Sequence, residues 1–224
     1  MIEDYTKIFF TSDQHFGHTN ILKYCDRPFL SIEEMNETII KNWNSIVNKE
    51  DTTYVVGDIT MKYGKTRMKE IFDQLNGTKI LITGNHDNKG NIPSECFLHV
   101  LKRLHITGEG YDFILIHDPA EASANHMNDQ KYLCGHLHSS PDRKMYYNWY
   151  DVGVDANNFT PISLENILKQ FEDETKKGFS TDELLLRSTS SYNQYAQRRC
   201  DSSRTPHNIP KALAKIKCSL PIYF

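Results

Sequence analysis

The chain contains no apolar run approaching the roughly 20 residues that a membrane-spanning helix requires, so the sequence gives no spanning segment. Its opening residues, Met1-Ile2-Glu3-Asp4-Tyr5, are acidic and lack the basic-then-apolar pattern of an export signal. The five cysteines (Cys25, Cys96, Cys134, Cys200 and Cys218) are odd in number and include no C-x-x-C pair. That argues against a disulfide framework and a zinc ribbon, and for reduced thiols in a cytoplasmic protein. Cys134 ends an apolar run and reads as a small core hydrophobe rather than a ligand. Basic charge is scarce through most of the length: residues 1–186 carry 19 Lys/Arg against 28 Asp/Glu, a net of −9. Such a body is a poor track for a nucleic-acid backbone, so long nucleic acid is not an expected partner.

What is present is ordinary for a globular protein, with 38% apolar and 25% charged residues among 224, enough for one domain. Strands and helices alternate, which predicts an α/β arrangement with buried strands. Strands are expected over Lys7–Thr11, Thr53–Val56 and Lys79–Thr83. Between them Ser31 opens a helix with Glu34 three residues on, a capping box, and Ile32, Met35, Ile39, Trp43 and Ile46 share one face. A second helix over Arg67–Leu75 is closed by Asn76-Gly77. The pattern then turns to hairpins: Leu104–Thr107 and Tyr111–His117 flank Gly108-Glu109-Gly110, and Lys131–Leu133 and Asp151–Val154 read as further strands. Ser163–Lys176 reads as a closing helix.

Beyond about Arg187 the texture changes. Residues 187–224 hold seven Lys/Arg against one Asp, net +6, with Ser/Thr-rich stretches and Pro206, Pro210 and Pro221. The expected organisation is therefore a domain over 1–186 and a basic, disordered tail over 187–224. An acidic partner for the tail, docking on the acidic body, and an extension without a role in the fold all remain open.

The strongest signal is a series of polar residues, each following a short β-type run: Asp13-Gln14-His15, Gly57-Asp58, Gly84-Asn85-His86-Asp87, His117, and Gly135-His136-Leu137-His138. Singly these are common. Together they point to metal ligands gathered along one edge of a sheet. His105 and His126 are alternatives to His117, but only His117 ends a four-residue apolar strand.

The ordered series D-x-H, G-D, G-N-H-D, H, G-H-x-H, running from Asp13 to His138, resembles that of the calcineurin-like metallophosphoesterase superfamily. The resemblance implies a β-sandwich flanked by helices (α+β in character) with its metals at the C-terminal ends of the strands. It implies one cation held by Asp13, His15 and His138, a second held by Asn85, His117 and His136, and Asp58 bridging both. Carboxylate, imidazole and amide ligands suit Mn²⁺ first, with Fe, Zn²⁺, Mg²⁺ or Ni²⁺ also admissible. Two cations about 3.5–4 Å apart activate a water and clamp the entering and leaving oxygens of an in-line displacement. By the same resemblance His86 is not a ligand; it steadies the phosphoryl group or protonates the leaving oxygen, with Asp87 orienting its ring.

The stretch from Phe16 to Phe29 is similar to small bacterial and phage phosphoesterases that open S-D-x-H-F-G-H-x-N-I, near which phage deoxynucleoside 5′-monophosphatases fall. It suggests His18, Asn20 and Arg27 as substrate contacts, Arg27 being suited to a bidentate phosphate contact, with loop bracing as the other reading. Two departures bear on specificity: a helix lengthens the Asp13-to-Asp58 interval, and Gly57-Asp58-Ile59-Thr60 lacks a following acidic or amide residue. The expected function is hydrolysis of a small phosphate ester, a nucleotide monoester foremost. Phosphodiesterase action on cyclic nucleotides or nucleic-acid ends is the alternative. A catalytically silent scaffold would lack ligands, and none is lacking.

Overall fold

Two five-stranded sheets face each other. The computed structural model describes residues 7–121, 130–141, 145–146 and 148–176; the basic segment 187–224 and His126 lie outside them. The first sheet contains β1 (Ile8–Thr11), β2 (Thr52–Val55), β3 (Thr78–Ile82), β4 (His99–Leu101) and β10 (Ile162–Ser163), in the order β10-β1-β2-β3-β4. Strands β1 to β4 run parallel, and β10 is antiparallel to β1. The second contains β5 (Leu104–Gly108), β6 (Tyr111–Leu115), β7 (Lys131–Cys134), β8 (Met145–Tyr146) and β9 (Trp149–Asp151), in the order β5-β6-β7-β9-β8. Its inner strands β6, β7 and β9 are parallel, and its outer strands pair antiparallel.

The near-continuous apolar runs follow from burial on both faces. Successive side chains alternate sides, so Phe10, Val56, Ile80 and Ile82 meet Phe113, Leu115, Leu133 and Tyr150 between the sheets. Their neighbours Phe9, Val55 and Leu81 pack outward against Met35, Ile39 and Trp43 of α2 (Ile32–Ile46) and Met68, Ile71 and Phe72 of α3 (Lys65–Phe72). On the far face of the second sheet Ile114, Ile116, Tyr132, Cys134 and Trp149 form a third cluster. Cys134 is thus a core residue, and burial pushes its thiol pKa up. α4 (Leu164–Lys176) adds Ile167 and Phe171 to the layer between the sheets. No helix among the described residues is long and apolar enough to cross a membrane.

The capping box forms with a variation. Ser31 Oγ accepts from Glu34 N–H (3.1 Å), but the Glu34 carboxylate reaches Leu30 N–H (2.7 Å). Four short elements have no sequence signal: α1 (Ile21–Tyr24), four residues long, β4, an edge strand whose side chains are largely exposed, and the two-residue strands β8 and β10. The predicted Asp151–Val154 strand sits earlier, at β9. After Asp151 the chain swings across to the first sheet, where Gly153 bridges Ser12 and Val154 N–H donates to Ser12 C=O (3.0 Å). The two sheets are therefore stitched together at the C-terminal ends of β1 and β9, where the polar series emerges.

Candidate metal centre

Three loops of the series turn sharply as they leave their strands. Asp13, His15, Asp58, His136 and His138 all have positive φ, between 49° and 73°. Non-glycine residues rarely adopt this region, and each such residue costs about 1–3 kcal/mol. Five in one place mean that the fold holds these side chains in one direction against their backbone preference. Gly57, at φ +89°, makes the turn before Asp58; a Cβ there would lie 2.5 Å from His117 Nδ1. At Gly84 a Cβ would collide with the Asp58 carboxylate.

The side chains converge as two groups. Ligand-type atoms of Asp13, His15 and His138 lie within 4.8 Å of one another, as do those of Asp58, His117 and His136. Asn85 joins the second group, its Oδ1 3.2 Å from His117 Nε2. Asp58 Oδ2 stands between the groups, 3.3 Å from His117 Nε2, 3.7 Å from His15 Nε2 and 3.9 Å from His86 Nε2. The other Asp58 oxygen accepts from His86 N–H (2.9 Å).

Hydrogen bonds on the outside of the cluster fix which nitrogen faces in. Val56 C=O can only accept, so His117 Nδ1 donates to it (2.8 Å), and Nε2 points at Asn85 Oδ1, Asp58 Oδ2 and His136 Nδ1. Asp155 likewise accepts from His138 Nδ1 (2.7 Å), which leaves Nε2 toward Asp13 Oδ1 (3.9 Å). His15 and His18 meet through their Nδ1 atoms (3.4 Å), and His136 Nε2 lies 3.9 Å from Asp118 Oδ2. Asp13 Oδ2 accepts from Ser12 Oγ (2.6 Å) and His136 N–H (2.9 Å).

These residues fit a pair of cations. Asp13 Oδ1 and His15 Nε2 are buried without a hydrogen-bond partner and face the same small volume. Buried polar atoms without partners are costly, and one divalent ion would satisfy both. In the second group four atoms with lone pairs face one another, an arrangement that needs a positive charge at its centre. In the metal-free protein a proton takes that place. Burial opposes charge on His117, yet the hydrogen bond to Asp58 and the nearby Asp13 and Asp58 carboxylates push its pKa up to about 9. Asp58 in turn is held well below the usual carboxylate range: burial opposes its charge, and His117, His15 and the His86 N–H overcome it. His15 is lowered by burial and by His138, and His18 falls to about 4 through burial and His86, so both are neutral near pH 7.

His86 is half-buried, its side chain 30% exposed, with its ring edge-on to His15 at 5.5 Å. Asp87 serves the loops, where the sequence alone suggests orientation of the His86 ring. Its oxygens accept from Asp58 N–H (2.8 Å), Gly84 N–H (2.8 Å) and Ile59 N–H (3.0 Å). Burial raises its pKa, and these donors pull it back down. His18 is buried beside His15, whereas Asn20 is exposed at the start of α1 and makes no capping bond with its side chain.

Arg27 is buried, and all its donors are engaged within the protein. Nε and Nη2 bond Asp155 (2.8 Å each), Nη2 also bonds Asp13 C=O (2.7 Å), and Nη1 bonds Gln14 C=O (3.0 Å) and Met35 Sδ (3.2 Å). That is the loop-bracing arrangement, with no donor left for a phosphate. Sequence reasoning missed Asp155, which with Cys25 and His138 forms a third close group. The signal was available: Asp155 follows a strand and a glycine, as Asp58 does. His105, the alternative to His117, is exposed and pairs with Asp112 (2.6 Å).

Comparison with known proteins agrees with this geometry. A family model described as calcineurin-like phosphoesterase matches residues 6–213. An uncharacterised protein of Methanocaldococcus jannaschii is 38% identical over 176 residues, covering 74% of this chain and 92% of that protein. The gene 66 protein of Mycobacterium phage L5 is 36% identical over 80 residues, 35% of this chain and 38% of the phage protein. Among solved structures, a protein of unknown function from Aquifex aeolicus superposes with a TM-score of 0.62 at 25% identity, over 74% of this chain and all of that one. With these matches and the two groups of candidate metal ligands, the chain belongs to the calcineurin-like phosphoesterase family.

Proposed function

We infer that the protein hydrolyses a small phosphomonoester, most directly a nucleotide, with two divalent cations (Mn²⁺ foremost) sharing Asp58. The observation that carries this reading is the position of Asp58 Oδ2, within 3.7 Å of an imidazole nitrogen from each of the two donor groups. Asp13, His15 and His138 would hold one cation, and Asn85, His117 and His136 the other. When bound, the pair supplies Lewis-acid charge to a phosphate ester and makes water a nucleophile near neutral pH.

The chain's own residues do the rest. Val56 C=O and Asp155 take the Nδ1 protons of His117 and His138 and so turn Nε2 of each ring inward, where a cation would displace any proton held there. Asp87 locks the Asp58 loop to the Gly84 loop. His86, partly exposed and 3.9 Å from Asp58 Oδ2, is placed to steady a phosphoryl oxygen or to give a proton to the leaving oxygen. His18, neutral and buried beside His15, borders the same side. The acidic body, offset locally by two cations, favours a small anion over a long polyanion. We place this chemistry within residues 1–186, in the cytoplasm, with no catalytic group from the basic segment 187–224.

The test is Mn²⁺-dependent hydrolysis of a phosphomonoester against a matched phosphodiester, by the intact chain and by Asp58→Asn. Monoester turnover that disappears in the variant supports the reading. Diester-only turnover would replace it with action on cyclic nucleotides or nucleic-acid ends. Metal binding without any turnover would leave a scaffold.

A further inference from the structure

Arg27 and Asp155 are 128 positions apart in sequence and form a two-point ion pair, with Nε to Oδ1 and Nη2 to Oδ2 at 2.8 Å each. The Arg27 side chain is fully buried and that of Asp155 is 8% exposed. A buried ion pair is weak evidence of stabilisation, because desolvation offsets most of the attraction, so its other contacts are the better guide to its role.

Asp155 Oδ2 also accepts the Nδ1 proton of His138. The guanidinium reaches past Asp155 to the carbonyls of Asp13 and Gln14. It thereby grips the backbone of the loop that carries Asp13 and His15. All three residues of the first donor group are thus tied to one guanidinium: two through their loop, and His138 through Asp155. The second group is oriented by other means, His117 by Val56 C=O and the Asp58 and Asn85 loops by Asp87.

We propose that Asp155, held by Arg27, is a positioning residue that sets cation affinity at the Asp13–His15–His138 site and leaves the Asp58–Asn85–His117–His136 site largely unaffected. The proposal rests on the two-cation reading above. Partners that orient a metal-binding histidine typically change metal affinity by about 10–100-fold, and here that change falls on one ion of the pair. Without Asp155 the protein then passes through a singly loaded state whose vacant side is the one next to Arg27.

The experiment is a Mn²⁺ titration of the full chain followed by electron paramagnetic resonance, for the wild type, Asp155→Ala and Asp155→Asn. The wild type should take up two ions with the spectrum of a coupled pair. Asp155→Ala should bind one ion as tightly as the wild type and the other about 10–100-fold more weakly, showing the hyperfine pattern of an isolated ion at intermediate Mn²⁺. Asp155→Asn, whose amide oxygen can still accept from His138, should fall between them. Equal weakening of both ions, or of neither, overturns the proposal. A wild type that binds fewer than two ions overturns the two-cation reading itself, and the proposal with it.

Should the unpaired Arg27 prevent Asp155→Ala from folding, nitrogen-15 NMR of the Zn²⁺-loaded wild type decides the matter without a variant. His138 is expected to carry a protected proton on Nδ1 and the metal on Nε2. Ligation through Nδ1, or a freely exchanging Nδ1 proton, would refute the role of Asp155.

Discussion

Asp87 separates two accounts of the Gly84-Asn85-His86-Asp87 motif, because a ring-orienting carboxylate and a loop clamp fail in different ways. The structure gives its oxygens to Asp58 N–H, Gly84 N–H and Ile59 N–H. A buried donor left unmet costs about 1–3 kcal/mol, and bonds to charged acceptors lie at the upper end of the scale. In Asp87→Asn the amide oxygen can keep the two donors that share Oδ2, while its NH₂ turns against Ile59 N–H. One bond is lost and one donor stranded, a cost of about 2–3 kcal/mol. Asp87→Ala loses all three bonds, and water replaces some of them, for about 3–5 kcal/mol. At about 2–4 °C per kcal/mol for a chain of this size, the melting temperature of the Asn variant should fall by about 4–12 °C.

Calorimetry or denaturant unfolding, run beside a metal titration, checks this. Both Asp87 variants should lose stability and weaken binding at the Asp58–Asn85–His117–His136 site. His86→Ala, which removes a partly exposed ring, should change stability by no more than about 1 kcal/mol while abolishing turnover. If Asp87→Asn melts and binds metal like the wild type but loses kcat as His86→Ala does, the carboxylate acts on the ring and the clamp account is wrong.

Two further outcomes follow from the same geometry. His117, raised from 6.5 to about 9, carries a proton at pH 7 in the metal-free protein. Its pairing with Asp58 therefore stabilises the metal-free fold fully below pH 6.5, until Asp58 itself protonates at acid pH, and is lost as pH rises through about 9. Metal uptake near neutrality should accordingly release a proton, seen as a calorimetric heat that varies with buffer ionisation enthalpy, and affinity should climb with pH until about 9 and then flatten. Gly57→Ala places a Cβ 2.5 Å from His117 Nδ1 at φ +89°. It should cost about 1–3 kcal/mol in unfolding free energy and weaken metal binding by displacing His117 from Val56 C=O.

Sequence reached the longer strands, the two long helices and the residues of both donor groups for one reason. Strands buried on both faces produce short apolar runs, and a loop leaving such a run at the sheet edge must place its polar residues at the edge. Elements with little buried surface gave no such signal. β4 is three residues on an exposed edge, and α1 is a single turn. Roles that depend on contacts distant in sequence were hidden altogether. Arg27 as a free cation beside a phosphate site and Arg27 as a buried partner of Asp155 are the same letters, separated only by the 128-residue contact. Asp87 adjoins His86 in the chain but bonds residues 28 and 29 positions away. The positive φ of five ligand-bearing residues has no counterpart in composition or periodicity, because tertiary packing imposes it.

The central claim is that two cations share Asp58, and anomalous diffraction from crystals grown with Mn²⁺ tests it most directly. The account predicts two peaks about 3.5–4 Å apart, one among Asp13, His15 and His138 and the other among Asn85, His117 and His136, with Asp58 between them and only one or neither in Asp58→Asn. A single peak in the wild type, or two peaks that do not both touch Asp58, would contradict it.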